Sequence, residues 1–168
     1  MAESHPEANA LVINALVGRE YTIAVAESLT GGQLIASLVD VAGASATVNG
    51  GVVAYNTVLK SSVLGVSASL LAARGAVDPE VARQMATGVR VALAVDGRPA
   101  DVGLATTGVA GPEEQDGQPV GTVFLGIAIG DRVESVALSL SGTRREIQSA
   151  TVEAALTTLL GLLNEPLE

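Results

Sequence analysis

The chain has 168 residues, 48% of them hydrophobic but only 2% aromatic, and carries a formal net charge of −9. That length suits one domain with a substantial core, built of necessity from Ala, Val, Leu and Ile. The acidic balance excludes general binding to nucleic acid or an anionic membrane, and the absence of Cys excludes disulfides, thiolate metal sites and cysteine nucleophiles.

Pro6 and the apolar positions Leu11, Val12, Leu16 and Val17 predict a first helix closed by Gly18. Thr22–Ala26 reads as a short buried strand, followed by a helix from about Thr30 to Val39. Gly50–Tyr55 reads as a strand, after which Asn56 caps a short helix through Leu64 and Ser67 caps another ending near Gly75. Asp78-Pro79 combines a capping residue with proline at the first helical position, and predicts a helix to about Val95. VGLATT, from Val102, is a buried strand, and GVAGPEEQDGQPV is a long polar loop. Two further strands flank Gly130-Asp131, a two-residue hairpin signal. A last helix runs from about Thr143 to Leu163, with Ala150, Ala154, Leu156, Leu159, Leu160 and Leu163 favouring burial. The expected fold is a single-domain three-layer α/β sandwich. Its mixed sheet carries helices on both faces and ends in a C-terminal β-hairpin followed by a long helix.

The lone histidine, His5, falls in a polar N-terminal stretch expected to be mobile, which speaks against a Ser-His-Asp triad. Zinc sites built on His or Cys are excluded with it, and no metal site is expected. Any nucleophile must then be Ser, Thr or a carboxylate, and any base Lys, Asp or Glu. No apolar run approaches a membrane span without polar interruption, and no signal peptide opens the chain, so a cytoplasmic protein is expected.

Four stretches can carry chemistry, and each has a plainer reading. Glu27-Ser28-Leu29-Thr30-Gly31-Gly32 offers a hydroxyl at a strand-to-helix turn, with glycines that let a ligand approach the backbone. Alternatively, Ser28 or Thr30 caps the helix and Glu27 complements its dipole. That alternative leaves unexplained two glycines that cost about 1 kcal/mol each relative to Ala. Lys60, the only lysine, stands near a helix N-terminus among apolar neighbours. Both effects favour the neutral amine a general base needs, while the plain alternative is a snorkelling surface lysine. Thr106-Thr107-Gly108-Val109-Ala110-Gly111-Pro112 repeats the first pattern and can supply N–H donors to an oxyanion or phosphate. Ser141-Gly142-Thr143-Arg144-Arg145 offers Thr143 as the N-cap of a helix but places two arginines in its first turn, the wrong sign for its dipole. A bound anion there resolves the conflict; screening by Glu146 and solvent is the alternative.

Together and in this order, AESLTGG (26–32), GGVVAYNTVLKSSVLGV (50–66), TTGVAGP (106–112) with PVGTVFLGIA (119–128), and SGTR (141–144) resemble the CinA C-terminal domain family, including its stand-alone nicotinamide-nucleotide amidases of the PncC type. The resemblance runs from about Ala10 to Leu163 and covers the chain as one amidase-like domain. It implies a hydrolase of the pyridine nucleotide cycle that removes ammonia from nicotinamide mononucleotide, using a Ser/Lys pair, no metal and no cofactor. It also implies a homo-oligomer. Position by position, Ser28 matches the motif serine, Tyr55 and Lys60 the Y-x4-K pair, Thr107 the hydroxyl before the glycine loop, and Arg144 the arginine of the late motif. Ser45 matches another hydroxyl of the family, so Ser28 and Ser45 both stand as the attacking residue. Backbone N–H groups near Gly31 or Gly108 would hold the oxyanion, and Arg144 with Arg145 the phosphate. Glu27, Thr30, Gly32 and Gly111 complete the expected substrate-binding set.

The chain departs from the family pattern at Glu113-Glu114, where a glycine pair is usual, and at Gln148, where a second arginine often stands. The larger members' molybdopterin-binding-like domain has no counterpart here. The departures keep two other readings open: a nucleotide-sensing domain that has lost turnover, and an amidase for another small carboxamide.

Overall fold

In the computed structural model, residues 7–166 are described; Pro6 and His5 lie outside them. The first helix, α1, spans Ala8–Arg19 and is closed by Glu20 in the left-handed region, two residues later than the expected Gly18. Strand β1 (Ile23–Glu27) is buried throughout, and α2 (Gln33–Val39) follows it. After a 3-10 turn at Ala44–Ala46 come β2 (Val48–Val53), α3 (Thr57–Ser62) and α4 (Ala68–Arg74). Helix α5 (Pro79–Ala92) precedes β3 (Val102–Gly108), β4 (Thr122–Ile129) and β5 (Arg132–Ser139), and α6 (Arg144–Leu163) ends the fold. The cap chemistry is as expected. Asn56 accepts from Val58 N–H, Ser67 from Leu70 N–H and Asp78 from Glu80 N–H, while Thr143 and Glu146 form a reciprocal capping box.

The sheet has the order β2-β1-β3-β4-β5. β1 runs parallel to both its neighbours, with Ala26 opposite Val52 on one side and Ala105 on the other. β3, β4 and β5 are antiparallel to one another in sequence, with Leu104 opposite Ile127 and Ile127 opposite Glu134. The mixed three-layer sandwich with its closing hairpin and long last helix is therefore the observed architecture.

Alternation along the central strands sends side chains into two cores. Ile23, Val25, Val102, Leu104, Leu125 and Ile127 meet α1, α2 and α6 on one face. Ala24, Ala26, Ala105 and Ala128 meet Val81, Met85, Ala86 and Val89 of α5 on the other. No aromatic residue belongs to either buried set, as the composition required. The α6 stripe is Ile147, Thr151, Ala155, Leu156, Leu159 and Leu163, so Ala150, Ala154 and Leu160 lie at its margin rather than its centre.

The second core is thin because its residues are small. A Cβ at Gly103 would stand 1.9 Å from the Ala86 carbonyl oxygen, and one at Gly126 would stand 1.9 Å from that of Ala82. The main chain of α5 therefore rests directly on β3 and β4. The crossover from β1 to β2 passes over the α2 face and the crossover from β2 to β3 over the α5 face. The carboxyl ends of β1 and β3 thus lie side by side at a topological switch point, where α/β sheets open a crevice.

Candidate active site

At that crevice β1 ends in Glu27, whose side chain is fully buried. Its carboxylate accepts from the N–H groups of Gly32 (3.2 Å), Leu34 (2.8 Å) and Ile35 (3.0 Å). The acid thus occupies the N-terminus of α2, and Gly31 and Gly32, both at positive φ, let the chain curl around it. This corrects two expectations. Neither Ser28 nor Thr30 caps α2, which begins at Gln33 rather than Thr30. The helix N–H groups face Glu27 and not a ligand.

Freed from capping, Ser28 continues the strand by donating its N–H to the Thr106 carbonyl at 3.1 Å. Thr30, also buried, pairs hydroxyl to hydroxyl with Thr106 at 2.8 Å. The Ser28 hydroxyl receives a hydrogen bond from Lys60 Nζ at 2.9 Å, and the same nitrogen donates to the Ala54 carbonyl at 2.7 Å. Lys60 is 1% exposed, although Val58 and Leu59 on the same short helix, and Val63 at its C-cap, face solvent. The lysine is thus no snorkelling surface cation. Burial pushes its pKa down to about 8, against a smaller raising effect from the Asp116 carboxylate.

Ser28 opens onto a cavity of about 450 Å³ whose walls include Tyr55, Gly108, Gly111, Glu113, Glu114 and Arg144. The Arg144 guanidinium donates to the Gly111 carbonyl at 2.6 Å and to the Tyr55 hydroxyl at 3.1 Å. Tyr55 is 60% exposed and stands at the mouth. The Gly31 N–H is taken by the Ser28 carbonyl at 3.2 Å and is not available to an oxyanion. Among the described residues, the N–H groups of Leu29, Ala110 and Gly111 on the cavity wall have no backbone acceptor.

Several expected site residues stand elsewhere. Ser45, exposed on the 3-10 turn, borders a separate cavity with Ile35, Val39 and Asn49. Thr107 is buried and donates to the Ala76 carbonyl at 2.7 Å, so it braces the structure behind the cavity. Arg145 lies in an adjoining depression with Gln33, Gln148 and Ser149, separated from the Ser28 cavity by Arg144. Gln148 does not point to an open anion site: its amide donates to the Leu29 carbonyl at 2.9 Å and tethers the turn after Ser28. The sequence does not single out Asp116, or Thr106 within its stretch. The adjacent Thr106-Thr107 pair and the Asp116-Gly117 turn dipeptide were the signals. Among the described residues, no cluster of His, Cys, Asp or Glu is arranged to hold a metal ion.

A three-layer α/β domain with a hydroxyl held against a buried amine at its switch point is the class this fold and cavity define. The CinA C-terminal domain model matches residues 6–163, and the chain belongs to that family. It is 47% identical over 153 residues to a CinA-like protein of Frankia casuarinae, covering 91% of this chain and 34% of that protein. It is 40% identical over 158 residues to a CinA-like protein of Gemmatimonas aurantiaca, covering 94% of this chain and 36% of that protein. The chain thus spans about a third of the length of these curated relatives. Among solved structures, it resembles the competence damage-inducible protein A of Klebsiella pneumoniae with a TM-score of 0.85 at 33% identity, covering 94% of this chain and 98% of that one. A competence-damaged protein (CinA) superfamily member of Escherichia coli gives a TM-score of 0.86 at 31% identity, covering 92% and 88%.

Proposed function

We propose that the domain is an amidohydrolase that converts nicotinamide mononucleotide and water to nicotinate mononucleotide and ammonia. The observation that carries this reading is the 2.9 Å contact between the buried Lys60 amine and the Ser28 hydroxyl at the cavity wall. In the neutral form, Lys60 Nζ takes the Ser28 proton as Oγ attacks the carboxamide carbon. The tetrahedral oxyanion is held by main-chain N–H groups, for which Leu29, Ala110 and Gly111 are the best placed. Lys60 returns the proton to the departing nitrogen, which leaves as ammonia. Water then attacks the acyl-Ser28 ester, Lys60 takes its proton, and the acid departs as Ser28 Oγ is reprotonated.

Arg144 shares the cavity wall with Ser28. Two of its N–H groups are engaged, and the planar fork retains donors for a phosphate. The chemistry draws on Ser, Lys and backbone alone, which agrees with the residue types available. The family resemblance extends the reading to a cytoplasmic homo-oligomer acting on a free nucleotide; among the described residues, no helix is long and apolar enough to cross a membrane.

Purified protein incubated with nicotinamide mononucleotide and assayed for ammonia tests the proposal. A second reading rests on Glu113 and Glu114, which both line the cavity and add negative charge where a phosphate would sit. It makes the domain a nucleotide sensor, and binding without ammonia release would favour it. Release of ammonia from a different small carboxamide, and not from the nucleotide, would instead change the substrate.

A further inference from the structure

The polar loop after β3 carries a small hairpin of its own. Gln115 and Gln118 exchange backbone hydrogen bonds of 3.3 and 2.8 Å, and between them Asp116 (φ 52°) and Gly117 (φ 73°) both take the left-handed conformation. That is the two-residue turn which Asp-Gly favours. Asp116 and Gly117 are exposed, yet the Asp116 carboxylate turns back onto the fold. Asp116 Oδ2 accepts from the Ala76 N–H at 3.2 Å, and its carboxylate lies so close over Gly75 that a Cβ there would come within 2.7 Å of it. On its other side, Ala76 accepts through its carbonyl from Thr107 at 2.7 Å. Thr107 adjoins Thr106, which receives the Ser28 N–H. The hairpin tip is therefore joined, through one buried residue, to the strand that positions Ser28.

We propose that Asp116 is a positioning residue for the Ser28–Lys60 pair: it latches the 111–119 loop to the Gly75–Ala76 turn, which Thr107 ties to the strand holding Ser28. The inference rests on the reading of that pair as the reactive site. Other ionisable groups near the cavity are already engaged or act elsewhere. Glu27 at the end of β1 is bound to the α2 N-terminus, and Asp78 at the start of α5 lies 3.8 Å from Arg74. Arg144 of α6 is bonded to Tyr55, while Glu113 and Glu114 lie on the loop itself. Asp116 is the charge that raises the lysine against its burial.

Lys60 is the only lysine in the chain, so protein labelled with 15N- and 13C-lysine gives one side-chain amine to titrate by NMR. Asp116→Asn keeps an acceptor for Ala76 and tolerates a positive φ, so it removes the charge and leaves the latch. The Lys60 midpoint should then fall by roughly 0.5 pH unit, the direction set by losing a nearby anion. Asp116→Ala removes the latch as well, and the Ala76 amide should exchange with solvent at least about 10-fold faster than in the wild type or in Asp116→Asn. A midpoint that stays or rises in Asp116→Asn overturns the charge role, and unchanged Ala76 exchange in Asp116→Ala overturns the latch. Neither readout uses turnover. Failure of the ammonia assay with both shifts observed would sink the amidase reading and spare this one.

Discussion

Lys60 Nζ lies 2.9 Å from Ser28 Oγ, yet the two residues come from different layers of the molecule, one from a short helix and the other from just past the end of β1 in the sheet. The contact gives the first prediction. Ser28→Ala and Lys60→Ala should each lower kcat/KM for amide hydrolysis by at least about 10³-fold, the scale seen when a nucleophile or its base is removed. Lys60→Arg should not rescue, because a guanidinium stays protonated at any working pH. Near-normal turnover in Ser28→Ala would exclude Ser28 as the nucleophile.

A base that works as the free amine imposes a direction on pH. With the Lys60 pKa pushed down to about 8, activity should rise through that region and level off above it. Rates measured across this window in the wild type and in Asp116→Asn should show the rising limb displaced to lower pH in the variant. A limb at the same pH in both would assign the ionisation to another group.

The same burial has a thermodynamic cost. The unfolded lysine, with its ordinary pKa of 10.5, binds a proton between pH 8 and 10.5 that the folded protein has released. Folding stability therefore gains from this residue as pH rises through that window. Lys60→Met should be more stable than wild type at neutral pH, by about 1–3 kcal/mol, with the difference shrinking toward pH 10. Denaturant melts of both proteins at the two pH values would check it, and a Lys60→Met protein less stable at pH 7 would refute it.

Arg144 closes the cavity between the Gly111 carbonyl and Tyr55. If it also meets a phosphate, Arg144→Ala should weaken nicotinamide mononucleotide by about 10–100-fold, the worth of one charge-assisted contact. The corresponding riboside, lacking the phosphate, should be affected much less. Equal losses for both ligands in a folded variant would indicate a damaged cavity and remove Arg144 as the anchor.

The tight seam beneath α5 gives a prediction about stability alone. Gly126→Ala places a methyl group against the Ala82 carbonyl, main chain against main chain, with no side chain able to yield. The loss should reach about 3 kcal/mol, the upper end for overpacking, and chemical denaturation would measure it. Gly18→Ala, where nothing lies within 4 Å of the added methyl, is the control and should be neutral or stabilising.

Local chemistry was legible in the sequence. Asn56, Ser67, Asp78 and Thr143 cap the helices they were expected to cap, because a cap is decided within three residues. Where the deciding partner is distant, the reading failed. The start of α2 was placed early because its N-terminal N–H groups are satisfied by Glu27, five to eight residues back along the chain. On spacing alone Lys60 reads more readily as a surface residue than as a base, since its burial depends on the end of β2 and on Ser28. Ser28 and Ser45 were indistinguishable as hydroxyls near glycines; only the crossover geometry puts the first in the switch-point cavity and the second beside Val39. On α6, an almost unbroken run of Ala, Leu and Thr left the buried stripe undefined by composition.

Helix α5 lies so close to β3 and β4 that two carbonyl oxygens fill the space of two missing methyl groups. At Gly103 and Gly126 the seam therefore has no side chain to repack and no slack to absorb growth. The loop that bears Glu113, Glu114 and Asp116 is exposed from Pro112 to Gly117 and is tied back at its tip through Ala76 and near its start through Arg144. The seam is thereby held to glycine at these two positions, while the exposed residues of the loop can be exchanged without recasting the sheet.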